Sequence, residues 1–167
     1  MDKKRFRTFC REEFEKRGFK KQNKTFYLLG KDLLCGLELS KSNYGNEYYV
    51  DFFYCIGDYR DAAELPDYYD SDIEDRILAM SKTKTVHGKC FLTAMIEYEE
   101  YTEDELRPYF DKEFEERILP PVYQGKKYIL DHLDHLGKSL FLDIAQRRSH
   151  AKTKIMIHIS RHRRSSR

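Results

Sequence analysis

The chain has 167 residues, 40% apolar and 36% charged; it is long enough to build one core without staples and too apolar and aromatic for general disorder. Its formal net charge of +2 is too small to argue for nucleic acid. Roughly 18 consecutive apolar residues would be needed to predict a membrane span, and nowhere does such a run occur. The charged start Met1-Asp2-Lys3-Lys4-Arg5 is unlike an apolar signal segment. Cys10, Cys35, Cys55 and Cys90 form no C-x-x-C pair, which fits a reducing compartment and predicts a cytoplasmic protein.

Residues 3–17 carry Phe6, Phe9, Cys10 and Phe14 on one helical stripe, with Lys, Arg and Glu opposite. Gly18 follows where a helix C-terminus calls for positive φ. The period then shifts from helical to alternating. Phe26–Leu29 reads as a strand closed by Gly30-Lys31-Asp32, and Leu33, Cys35, Leu37 and Leu39 alternate along a second. A third, Tyr48–Ile56, has apolar or aromatic residues on both faces, which predicts a central strand. Putting the Leu33–Leu39 face beside the Val50–Ile56 face sets Leu37 opposite Phe52. Cys35 and Cys55 then lie on opposite faces and form no disulfide.

Residues 58–70 read as a loop, after which Ser71 is expected to cap a helix over Asp72–Met80 with Ile73, Ile77 and Leu78 inward. Cys90–Ile96 is expected to be a strand buried on both faces, although so short an apolar run also suits a helical turn. Thr102-Glu103-Asp104-Glu105 is a capping-box signature opening a helix that buries Leu106, Phe110, Phe114 and Ile118. Pro108 is expected to kink that helix or delay its start, and Pro120-Pro121 to end it. Ile129, Leu133, Leu136, Leu140 and Ile144 form one stripe over residues 126–148, and Ile155, Ile157 and Ile159 suggest an edge strand. The fold class expected is α+β: an antiparallel meander of three to five strands against an N-terminal helix and C-terminal helices. One domain over residues 1–160 and a disordered basic tail over 161–167 complete the expectation.

No serine sits in a nucleophile elbow and no glycine-rich loop resembles a phosphate cradle. No cofactor is expected. His87 and Cys90 have a spacing that metal sites use, but no second pair completes a tetrahedral set. His132 and His135 stand three apart, as do Asp131 and Asp134, so a metal or proton-transfer site there is an alternative to a solvated helix face. Lys20, Lys21, Lys24, Phe26, Tyr27, Tyr48 and Tyr49 raise a stacking platform for single-stranded nucleic acid, assisted by Arg161, Arg163, Arg164 and Arg167. Strand propensity and core packing account for these aromatics equally well.

The run Glu15-Lys16-Arg17-Gly18-Phe19-Lys20-Lys21, then Thr25-Phe26-Tyr27, Leu37-Glu38-Leu39-Ser40-Lys41-Ser42 and Tyr49-Val50-Asp51 through Ile56-Gly57 resembles a bacterial family, domain of unknown function 4304. The resemblance spans about residues 9–60 and implies a helix-then-meander fold in a bacterial cytoplasm. It implies no activity. The leading expectation is a non-catalytic module that binds another protein, with an immunity-like inhibitor of a basic toxin as one form. Asp67, Asp70, Asp72, Glu74, Tyr48 and Tyr49 are its candidate contact residues, because complementary charge speeds encounter. The alternatives are an enzyme or metal protein using Asp131, His132, Asp134 and His135, and weak nucleic-acid binding.

Overall fold

The computed structural model describes residues 1–43 and 45–132. Helix α1 (Lys3–Lys16) opens with the Asp2 carboxylate accepting from the Arg5 N–H at 2.8 Å. Its stripe of Phe6, Phe9, Cys10 and Phe14 is fully buried, as the period predicts. Gly18 takes φ +88 and releases the chain into the sheet.

Five antiparallel strands follow in the order β1 (Lys20–Gln22), β2 (Thr25–Leu29), β3 (Leu33–Lys41), β4 (Tyr48–Ile56) and β5 (Ile73–Arg76). The register is the one the leucine face requires: Leu37 opposes Phe52, and Cys35 opposes Tyr54 while Cys55 opposes Leu34. Cys35 therefore belongs to the main core beneath α1, and Cys55 to a small second core with Leu34 and Phe53 on the other face. Neither is disulfide-bonded. Gly36 lies directly under the Phe53 ring, where a Cβ would stand 2.1 Å from it. Gly36→Ala should destabilise the protein by about 1–3 kcal/mol through overpacking; an unchanged urea midpoint would show that the ring shifts freely.

Residues 57–72 cross the second face, packing Tyr59, Leu65 and Tyr68 against Phe53 and its neighbours. The helix expected over Asp72–Met80 is not formed. Ile73–Arg76 instead pairs with the free edge of β4, with Arg76 opposite Asp51 and bonded to it at 2.8 Å. Pairing satisfies the outer backbone groups of the central strand, and that tertiary demand overrides local helix propensity. Ile77 is buried, but Ile73 and Leu78 are only half-buried. Cys90–Ile96 also departs from expectation. Only Lys89–Thr93 is strand (β7), pairing with β6 (Ala79–Val86) in a separate two-stranded ribbon, and Cys90 is exposed. His87 (φ +51) and Gly88 (φ +74) form its two-residue corner, the positive-φ geometry that matches strand twist.

Helix α2 (Glu103–Glu113) carries the full capping box between Thr102 and Glu105, and Pro108 neither delays its start nor terminates it. Leu106, Phe110, Phe114 and Ile118 are fully buried. The prolines do not end the helical run. A π turn (Phe114–Ile118) leads into α3 (Leu119–Gln124), whose first turn holds Pro120 and Pro121, where a missing N–H is tolerated. Pro121 cannot donate to the Arg117 carbonyl, and the buried Tyr54 hydroxyl of β4 takes that place, sharing its proton between Arg117 O (2.9 Å) and Ile118 O (3.0 Å). Gly125 (φ +84) then turns the chain into α4 (Lys126–Asp131). The expectations for Leu133 to Ile144, the Ile155–Ile159 strand and the basic tail lie outside the described residues.

Candidate anion-binding cleft

Burying the apolar stripe of α1 fixes what its flanks present. Lys3, Arg7 and Arg11 recur every four residues along one flank, with Lys4 and Thr8 beside them. That flank overhangs the end of the sheet and forms one wall of a cleft of ≈ 680 Å³. The facing wall consists of Lys21 of β1, Lys24 at the β1–β2 turn and Lys41 of β3, over a floor of Phe26, Leu39 and Tyr48. Among the described residues no carboxylate lines it.

Six of these cations (Lys3, Lys4, Arg7, Arg11, Lys21 and Lys41) have no ion-pair partner among the described residues; the seventh, Lys24, meets Glu38 at 3.3 Å. Most other cations are paired. Arg17 and Arg107 converge on the buried Glu13, Arg17 also reaches Asp111, and Arg5 joins Glu103. The buried Glu13 carboxylate of α1 thus faces α2, away from the cleft. The first turn of α1 contains no acidic residue, so Lys3, Lys4 and Arg5 oppose the helix dipole. The Thr8 and Tyr48 hydroxyls make no hydrogen bond among the described residues, and both line the cleft. Phe26 is 5% exposed and Tyr48 6%, so the floor offers little aromatic surface for stacking.

The candidate residues read from the sequence do not form one patch. Tyr48 belongs to the cleft floor, whereas Tyr49 points to the opposite face, 4.2 Å beneath the Arg76 guanidinium. Asp67 caps the turn at Tyr68–Asp70 by accepting from the Tyr69 N–H at 2.8 Å. Asp72 accepts from the Ile56 N–H at 2.8 Å, and the Tyr68 hydroxyl bonds to Glu74. Asp70 is exposed beside Tyr69, which is 85% exposed. Asp131 pairs with Lys127, and His132 stacks on Tyr128 at 4.0 Å with its Nδ1 3.0 Å from the Tyr128 carbonyl. Asp134 and His135 lie outside the described residues. Among those described, no three His, Cys, Asp or Glu residues are grouped to hold a metal.

The cleft was missed because the first helix was read as a core stripe with a solvated back. The signal was present in the run of cations at the start of α1, where a dipole favours acids. A second sequence signal is the lysine at each hairpin end, Lys21, Lys24 and Lys41.

A separate charged cluster lies between β5 and the π turn. Alternation places Asp75 on the helical face, where Arg117 pairs with both Asp75 and Glu113. One guanidinium serves two buried carboxylates. Burial raises Asp75 to about 6 and Glu113 to about 7, against the opposing pull of Arg117. Both folded values exceed the ordinary 3.8 and 4.5, so these groups contribute most stability below the latter values and lose it as pH rises through about 6 to 7. Glu105, held down to about 2 by Lys82 and the Thr102 cap, acts only below that window. Denaturant midpoints should fall from about pH 5 to pH 8, and Glu113→Gln should flatten part of the decline. A wild-type midpoint that rises over this interval contradicts the account.

The architecture is that of a small α+β domain, a meander covered by helices on one face and by a long loop on the other. The chain belongs to the family of the domain of unknown function DUF4304, whose pattern matches residues 10–121. The match runs from mid-α1 to Pro121, well beyond the residues 9–60 that carried the resemblance, and includes every cleft residue except Lys3, Lys4, Arg7 and Thr8. No curated protein and no solved structure matches the chain. Among the described residues no helix is long and apolar enough to cross a membrane.

Proposed function

We propose that the chain is a non-catalytic binding module that holds an anionic partner in the cleft between α1 and the sheet. The observation that carries this reading is six cations around one concave surface that, among the described residues, have no ion-pair partner and no carboxylate beside them in the lining. Like charges held close repel one another, and an anionic partner relieves that repulsion. A bacterial, cytoplasmic setting belongs to the same reading, and the four unbonded cysteines support its reducing compartment. The test compares two triple variants of equal net charge on a phosphocellulose column. Arg7→Gln/Arg11→Gln/Lys21→Gln should elute at clearly lower salt than Lys31→Gln/Lys89→Gln/Lys112→Gln, whose lysines are unpaired but scattered. Equal elution would mean that only net charge matters, and the reading falls.

A second reading, docking of a basic protein on the acidic segment, is favoured by Tyr69, displayed between Asp67 and Asp70. A rigid amphipathic ring beside uncovered carboxylates suits a protein contact. Tyr69→Ser/Asp70→Ser should abolish capture of such a partner while leaving the fold intact. Asp72 and Glu74 are poor probes, because their carboxylates already serve β4 and Tyr68. Undiminished capture by the double variant would remove this reading.

A further inference from the structure

We infer that the ligand of the cleft is a compact molecule carrying several linked phosphates; the inference rests on the anion-binding reading above. Charge density carries it. Six unpaired cations surround ≈ 680 Å³, so a matching ligand must pack several negative charges into a small space. A terminal phosphate carries about −1.5 to −2 at neutral pH and a bridging one about −1, so about four linked phosphates match six cations and three come close. Each brings acceptor oxygens for the Lys and Arg donors, and the free Thr8 and Tyr48 hydroxyls add two neutral donors.

The alternatives fit less well. Six carboxylates on an extended peptide span roughly 20 Å and alternate in direction, so half point away from any one wall. The α1 wall from Lys3 to Arg11 is roughly 12 Å long at 1.5 Å per residue. A single-stranded nucleic acid carries one charge per nucleotide and gains much of its affinity from bases stacked on aromatic faces. Phe26 and Tyr48, the aromatic residues of the floor, are 5% and 6% exposed and offer little such surface, with Lys21 already over the Phe26 ring at 5.7 Å. Lys3 and Lys4 stand in the first turn of α1, where the Asp2 cap supplies a single carboxylate. A bound polyphosphate would add negative charge beside the helix N-terminal half, which the dipole favours.

Titration calorimetry of the full chain with inorganic tripolyphosphate is the test, run beside orthophosphate, hexaglutamate peptide and a twelve-nucleotide oligothymidylate. The expected order places tripolyphosphate tightest, with affinity falling steeply as salt is added. The Arg7→Gln/Arg11→Gln/Lys21→Gln variant, checked for folding by circular dichroism, should bind it at least about tenfold more weakly, since each charged hydrogen bond is worth about that factor. The scattered Lys31→Gln/Lys89→Gln/Lys112→Gln variant should bind as wild type does. Hexaglutamate or oligothymidylate binding more tightly than tripolyphosphate would overturn the compact-phosphate inference while leaving an anion-binding cleft. If no anion distinguishes wild type from the cleft variant, both the inference and the reading beneath it fail.

Discussion

The contact on which the rest of the structure depends is the packing of the Phe6–Phe9–Cys10–Phe14 stripe of α1 onto the sheet. These four side chains are fully buried in the same core as Leu37, Phe52 and Tyr54. Burying an aromatic stripe of this size contributes several kcal/mol and leaves α1 one rotational setting. That setting turns Glu13 toward α2 and the lysine–arginine flank toward the sheet end. The cleft is thus a consequence of core packing, with no dedicated element of its own.

Ion pairing reinforces the same asymmetry. Glu13 receives Arg17 and Arg107, and Arg5 reaches Glu103, so the α1–α2 seam holds these two carboxylates away from the other flank. Exposed pairs of this kind contribute little each, but those centred on the buried Glu13 are costly to break from one side. Across the molecule Arg117 has a comparable role, joining β5 to the π turn through Asp75 and Glu113. The prolines after that turn leave carbonyls for Tyr54, so the π turn is tied to β5 by charge and to β4 by hydrogen bond.

Patterned positions were legible in the sequence, and positions set by long-range pairing were not. The α1 stripe, the β3–β4 register and the Thr102 cap each follow from a local period or a side-chain signature. Ile73–Arg76 carries helix-compatible residues, yet the open edge of β4 and the Asp51–Arg76 pair make it a strand. Pro120-Pro121 reads as a stop, but prolines are also at home in the first turn of a helix. The cleft was half legible. Lys21, Lys24, Phe26 and Tyr48 stand out together as a stacking surface, while the cations of α1 read only as the face opposite the apolar stripe. Only the three-dimensional rotation of α1 sets the two groups face to face. The acidic residues misled in the opposite sense, since Asp67 and Asp72 are engaged within the chain.

The most direct measurement is a map of backbone amide chemical shifts in the labelled protein as tripolyphosphate is added at moderate salt. The account predicts perturbations concentrated in residues 3–11, 21–26 and 39–41 and at Tyr48, which meet at the cleft. Perturbations spread evenly over every exposed lysine, or centred on Lys31, Lys89 and Lys112, would contradict it.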